Sequence, residues 1–91
     1  MMLEIVLSNH FRRDLKRAAK RGYDLELLNA VVDKLAEGGK LEEKYRDHSL
    51  TGPYAGFREC HIQPDWLLVY RIDNDALLLF LTRTGTHSDL F

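Results

Sequence analysis

Histidine is the side chain whose unperturbed pKa, ~6.5, allows it to give or take a proton near neutral pH. His48, His61 and His87 all stand in the second half of this 91-residue sequence, and Asp65 and Arg83 lie between the last two. Together these types suit cleavage of RNA by its own 2′-hydroxyl. A general base takes the 2′ proton, the oxygen attacks the adjacent phosphorus, and a general acid protonates the 5′ leaving oxygen. A guanidinium can brace the phosphorane oxygens with paired donors. A carboxylate can fix an imidazole tautomer or act as the base itself.

These three histidines are separated by 12 and 25 intervening residues, and the fourth, His10, lies far before them, so neither His-x-His nor His-x-x-x-His is present. The single cysteine, Cys60, supplies no second thiol. Metal-site spacings are therefore lacking, and neither a metal nor a cofactor is expected. Gly52 and Gly56 match no phosphate-cradling fingerprint.

The chemistry requires elements that bring these residues together. Residues 3–7 read as a short apolar strand. Ser8 is a good N-cap for a helix over about 9–21, with Phe11, Leu15, Ala18 and Ala19 on one face and basic residues on the other. Gly22 ends that helix, and Asp24 caps a second over about 25–37, with Leu28, Val31, Val32 and Leu35 as its buried stripe. The short connection predicts an antiparallel helical hairpin. Residues 40–55 read as irregular. Strands are expected near 56–62, 66–72 and 76–82, with Pro64-Asp65 and Asp73-Asn74-Asp75 as hairpin connectors. Residues 84–91 read as a short polar turn. The sum is an α+β domain over residues 1–91, a helical hairpin on one face of a small, mainly antiparallel sheet.

In such a meander the first and third strands end at the same rim. His61, Asp65, Arg83 and His87 are then expected to converge there, with alternate strands about 10 Å apart. The place of His48 depends on the path of 49–55, which periodicity does not determine.

Composition sets further bounds. A chain this short buries ~60–65% of its unfolded surface, a real but small core. With one thiol and no disulfide framework, a reducing compartment is expected, with Cys60 as a buried apolar residue. The opening segment Met1–Leu7 is too short for a signal peptide and is interrupted by Glu4, and no apolar run reaches membrane-spanning length. A cytoplasmic protein without a membrane partner is expected. The net charge of −1 conceals an asymmetry. Residues 1–23 hold six basic groups (Arg12, Arg13, Lys16, Arg17, Lys20, Arg21) against two acidic ones, a local +4. That face suits a polyanion, although charge alone also fits a solvated helix surface.

Three strings carry a resemblance: His48-Ser49-Leu50-Thr51-Gly52, His61-Ile62-Gln63-Pro64-Asp65-Trp66, and Arg83-Thr84-Gly85-Thr86-His87 with Phe91 at the end. In these strings, dense from 45 to 91, the chain resembles the YafQ family of type II toxins within the RelE/ParE superfamily. The resemblance implies a RelE-like fold and a ribosome-dependent mRNA endonuclease neutralised by a cognate antitoxin. It places His48, His61, Asp65 and His87 at active positions and Phe91 as the functional terminal aromatic, with Arg83 suited to phosphate. His87 is the expected acid, and Asp65 or His61 the base. Arg12, Arg13, Lys16 and Arg17 are the expected contacts to RNA. The rival is a binding module of the same fold, without enzymatic activity, that docks a ribosome or an antitoxin.

Overall fold

In the computed structural model, which describes residues 2–91, Ser8 and Asp24 cap two helices as their types lead one to expect. The Ser8 hydroxyl accepts the Phe11 N–H at 2.9 Å, opening α1 (Asn9–Lys20). Asp24 accepts the Glu26 N–H at 3.1 Å, opening α2 (Leu25–Ala36). Gly22, between them, has φ 78°, the left-handed conformation that ends helices most cheaply in glycine. Among the described residues no helix is long and apolar enough to cross a membrane.

Five strands form one sheet: β1 (Glu4–Leu7), β2 (His48–Ser49), β3 (Arg58–Gln63), β4 (Trp66–Asp73) and β5 (Leu78–Gly85), in the order β1-β5-β4-β3-β2. The expected meander is β3-β4-β5, all antiparallel. β1 joins it in parallel beside β5, and the two-residue β2 adds to β3 within the stretch read as irregular. β5 runs to Gly85, past the expected end at 82. The tail folds into a short helix, α3 (His87–Leu90), where a polar turn was expected. Its cause is a capping box: Thr86 accepts the Asp89 N–H, and Asp89 accepts the Thr86 N–H.

The helices cover one face. Phe11, Leu28, Val31, Val32 and Leu35 pack there on Cys60, Leu68, Tyr70, Leu79 and Leu81. Cys60 is wholly buried, and that burial pushes its thiol up to about 12, so it packs as an apolar residue. On the other face Leu67, Val69 and Leu90 form a second small core beneath Leu50, Tyr54 and Phe57.

A β-bulge decides which face the end of β5 serves. Val69 pairs with Arg83, but Tyr70 pairs with Leu81, leaving Thr82 as the extra residue. Strict alternation from Leu79 and Leu81 would turn Arg83 toward the helices. The bulge turns Arg83 to the face of Val69 and buries Thr84 beside Trp66. There the Thr84 hydroxyl accepts the Trp66 indole N–H at 2.9 Å and donates to the Leu67 carbonyl at 2.7 Å. Thr84→Val keeps the shape and removes the acceptor. A buried donor left without a partner costs roughly 1–3 kcal/mol, so this variant should lower Tm by at least about 4 °C. Thermal unfolding followed by circular dichroism checks it.

β1 stops opposite Leu81, and among the described residues no strand pairs with the rest of β5 on that side. An open edge needs cover, and α1 provides it. The Ser8 hydroxyl donates to the Thr82 carbonyl at 2.8 Å, and the buried Asp14 carboxylate accepts the Thr84 N–H at 3.1 Å.

Candidate active site

The face opposite the helices gathers the histidines. Glu59 and His61 alternate with the inward Cys60 and Ile62 on β3, and so share the outer face. His48 reaches it because β2 pairs His48 with Glu59. What holds β2 there is Asp47: it accepts from the Tyr70 hydroxyl at 2.8 Å and from the Arg58 guanidinium at 3.2 Å, while Arg58 also donates to the Ser49 hydroxyl at 2.9 Å. His87 arrives from the other side, at the start of α3.

The rings form a row. His48 and His61 have centroids 6.5 Å apart, His61 and His87 6.0 Å, and His87 and Phe91 6.5 Å. Tyr54 lies edge-on to Phe91 at 5.5 Å. Phe91 is 60% exposed, so it is an open aromatic surface and not a plug in the sheet.

Each imidazole has a different electrostatic setting. His87 Nδ1 lies 3.2 Å from Asp65 Oδ1, and the His87 backbone N–H donates to the same oxygen at 3.1 Å. These two donors, the backbone one first, hold the Asp65 carboxyl below its ordinary range. Donating Nδ1–H to Asp65 leaves His87 Nε2 as the reactive nitrogen. His48 places Nε2 3.2 Å from Glu59 Oε1 and Nδ1 3.2 Å from the Ser49 carbonyl. With acceptors on both sides, His48 is suited to donate hydrogen bonds rather than to act as a base. His61 is the least exposed of the three, with Nε2 3.8 Å from Glu59.

Glu59 was not among the residues singled out from the sequence. It is 4% exposed and lies between two imidazoles. A carboxylate out of water needs donors, and these rings are the donors at hand. The only signal in the sequence was an acid two positions before His61, which becomes meaningful once strand facing is known. His48, Glu59 and His61 offer two nitrogens and one oxygen, all within 4.8 Å of one another. That set fits the ligand preferences of copper or zinc, although spacing along the chain gave no sign of it.

Arg83 stands apart from this row. Its Nε and Nη2 donate to Asp14 at 2.7 and 3.2 Å, which raises its affinity for the proton. Nη1 is left for a further acceptor, with the Tyr54 phenol close by. The basic helix divides in two. Arg12, Arg13 and Lys16 are exposed and form no ion pair among the described residues. Arg17 is engaged with Asp14 at 3.1 Å and Asp89 at 3.7 Å. Arg21 holds Asp89 with two bonds of 2.7 and 3.1 Å, pinning α3, and with it His87, to α1. This pairing, first of all, holds the Asp89 carboxyl far below the usual carboxylate range.

Comparison with known proteins bears on the family and the fold. A family model described as the bacterial toxin of a type II toxin–antitoxin system, YafQ, matches residues 3–91. The mRNA interferase toxin YafQ of Escherichia coli K12 is 39% identical over 89 residues, 97% of this chain and 95% of its own. A metal-bound toxin from Helicobacter pylori is 51% identical with a TM-score of 0.93, over 99% of this chain and 100% of the other. YafQ in its complex with DinJ from E. coli is 36% identical with a TM-score of 0.91, over 100% of this chain and 99% of the other.

Proposed function

The chain belongs to the YafQ toxin family, and from that premise we propose that it is the toxin of a type II toxin–antitoxin pair, an endoribonuclease that cuts mRNA on the ribosome. Its partners are then mRNA, the ribosome and a cognate antitoxin, and it acts in the cytoplasm as one domain over residues 1–91. The observation that carries the reading is the row His48–His61–His87 with a carboxylate at each end, Glu59 beneath and Asp65 beside.

The roles follow from the partners. His61 takes the 2′-hydroxyl proton, and Glu59 stabilises the imidazolium that forms. Asp65 already receives two donors from residue 87, which favours His61 over Asp65 as the base. The 2′-oxygen forms a bond to phosphorus, and the P–O5′ bond breaks. His87, oriented by Asp65, delivers its Nε2 proton to the departing oxygen. The products are a 2′,3′-cyclic phosphate and a 5′-hydroxyl. His48 exchanges its contact with the Ser49 carbonyl for a non-bridging oxygen when RNA binds, and Arg83, steadied by Asp14, offers Nη1 to phosphate. Phe91 stacks on a neighbouring base. A metal ion, if bound by His48, Glu59 and His61, would polarise a phosphoryl oxygen, but the proton transfers described need only the side chains.

Mapping 5′ ends of mRNA after brief expression tests the proposal. Cleavage inside codons is the expected result. Intact messages with arrested translation would instead indicate the non-enzymatic module.

The free part of the basic helix gives a separate expectation. Replacing two of Arg12, Arg13 and Lys16 by alanine should weaken ribosome binding and flatten its logarithmic salt dependence by about 2. The same salt slope in sedimentation assays would identify that face as solvated surface. Arg17 is excluded from the set because its replacement would also disturb Asp14 and Asp89.

A further inference from the structure

His61 stands in the histidine row and also borders a cleft of about 470 Å³, lined by Gln63, Lys44, Tyr45 and Arg46 and by Leu27 of α2 as apolar wall. The volume lies within the roughly 300–1,000 Å³ of ordinary ligand sites. Lys44 and Arg46 are exposed and form no ion pair among the described residues, while Glu42 and Glu43 of the same turn do not line the cleft. Arg46 is held at φ 49°, a left-handed conformation uncommon outside glycine. It persists because both sides are anchored: its N–H donates to the Glu43 carbonyl at 2.9 Å, and Asp47 is fixed by Tyr70 and Arg58.

We propose that this cleft is a nucleotide subsite, taking the residue of the RNA next to the scissile phosphodiester on the side away from Phe91. Lys44 and Arg46 contact its phosphate, Tyr45 and Leu27 pack against its base, and the Gln63 amide meets the base edge. Continuity through His61 is the argument for RNA as occupant: His61 belongs both to the row that runs by way of His87 to Phe91 and to the wall of this cleft. Two cations without a carboxylate partner among the described residues, Lys44 with its ammonium 5.2 Å from the centroid of the Tyr45 ring and the exposed Arg46, beside an aromatic and an apolar wall match what single-stranded RNA requires. The inference rests on the ribonuclease reading.

Two measurements test it. Single-turnover cleavage on programmed ribosomes should show, for Lys44→Ala/Arg46→Asn, a half-saturating toxin concentration raised on the order of 10-fold with the saturated rate little changed. Asparagine is chosen because it tolerates the left-handed backbone. Gln63→Ala should change which bases are preferred at the cleavage site. In the second measurement, a trinucleotide carrying a 2′-deoxy residue at the scissile position should shift the NMR signals of Leu27, Tyr45 and Gln63 in the wild type but not in the double variant. Perturbations confined to His87 and Phe91 would overturn the proposal. So would uniform weakening at every cleavage site without such shifts, which would place the contact on ribosomal RNA. Unchanged cleavage with weakened antitoxin binding would overturn it too and assign the cleft to the antitoxin. Failure of the ribonuclease reading looks different, because wild-type protein would then cut nothing.

Discussion

His87→Ala lowers mRNA cleavage by at least ~100-fold, and the protein stays folded. The size follows from general acid catalysis, which contributes on the order of 10²–10⁴-fold. Without a proton donor the 5′ oxygen must leave as an alkoxide. The fold is expected to survive because the His87 side chain is 58% exposed and, among the described residues, its only polar partner is the still more exposed Asp65. The backbone N–H that donates to Asp65, and the capping box of α3, do not depend on the imidazole. Asp65→Asn should cost less, since the amide oxygen still accepts the two donors but no longer stabilises positive charge on the ring. Cleavage rates on programmed ribosomes, beside circular dichroism of each variant, check both. An alanine variant that cuts at the wild-type rate would remove His87 from the mechanism.

Asp14→Ala is the substitution with the largest expected cost in stability. Asp14 is 4% exposed and accepts from the Arg83 guanidinium, from Arg17 and from the Thr84 N–H. Removing it leaves a guanidinium, mostly out of water, without its counter-charge and an edge N–H of β5 without an acceptor. Hydrogen bonds to charged groups contribute ~1.5–3 kcal/mol each, and breaking one side of a buried pair costs up to ~5. Because Arg83 keeps 17% exposure and water can reach it, about 2–4 kcal/mol is expected for the whole change. Cleavage should fall as well, because Arg83 loses the partner that steadies it. Asp14→Asn retains an acceptor for Thr84 and should lie between. Urea unfolding measures the first effect, with an unchanged m-value as the sign that the native state is otherwise intact. A midpoint equal to that of the wild type would show that the network contributes nothing.

Much of the frame was legible in the residues. Ser8 and Asp24 mark helix starts because a short oxygen side chain satisfies a free N–H at a helix end, a purely local effect. The stripe Leu28, Val31, Val32, Leu35 is buried as its spacing requires, whereas Ala19, counted with the apolar face of α1, is exposed. Strand-favouring residues such as Phe57, Val69, Tyr70, Ile72 and Phe80, divided by turn residues, announced the three-strand meander, and topology alone brought the end of β3 near the end of β5. The strings around His48, His61 and His87 carried the family.

Other features were decided only in three dimensions. The parallel pairing of β1 with β5 joins residues more than 70 positions apart, and nothing local encodes it. The place of His48 depends on Asp47 meeting Tyr70 and Arg58, contacts between separate elements. Glu59 gains its meaning from burial between two rings. The bulge at Thr82 reverses the facing of Arg83, Thr84 and Gly85, and period-2 reasoning gives the opposite answer there. The physical reason is range. Caps, turns and amphipathic stripes are energies between neighbours in the chain and can be read along it. Register, bulges and the pairing of buried charges are energies between distant segments, and they exist only once the segments have met.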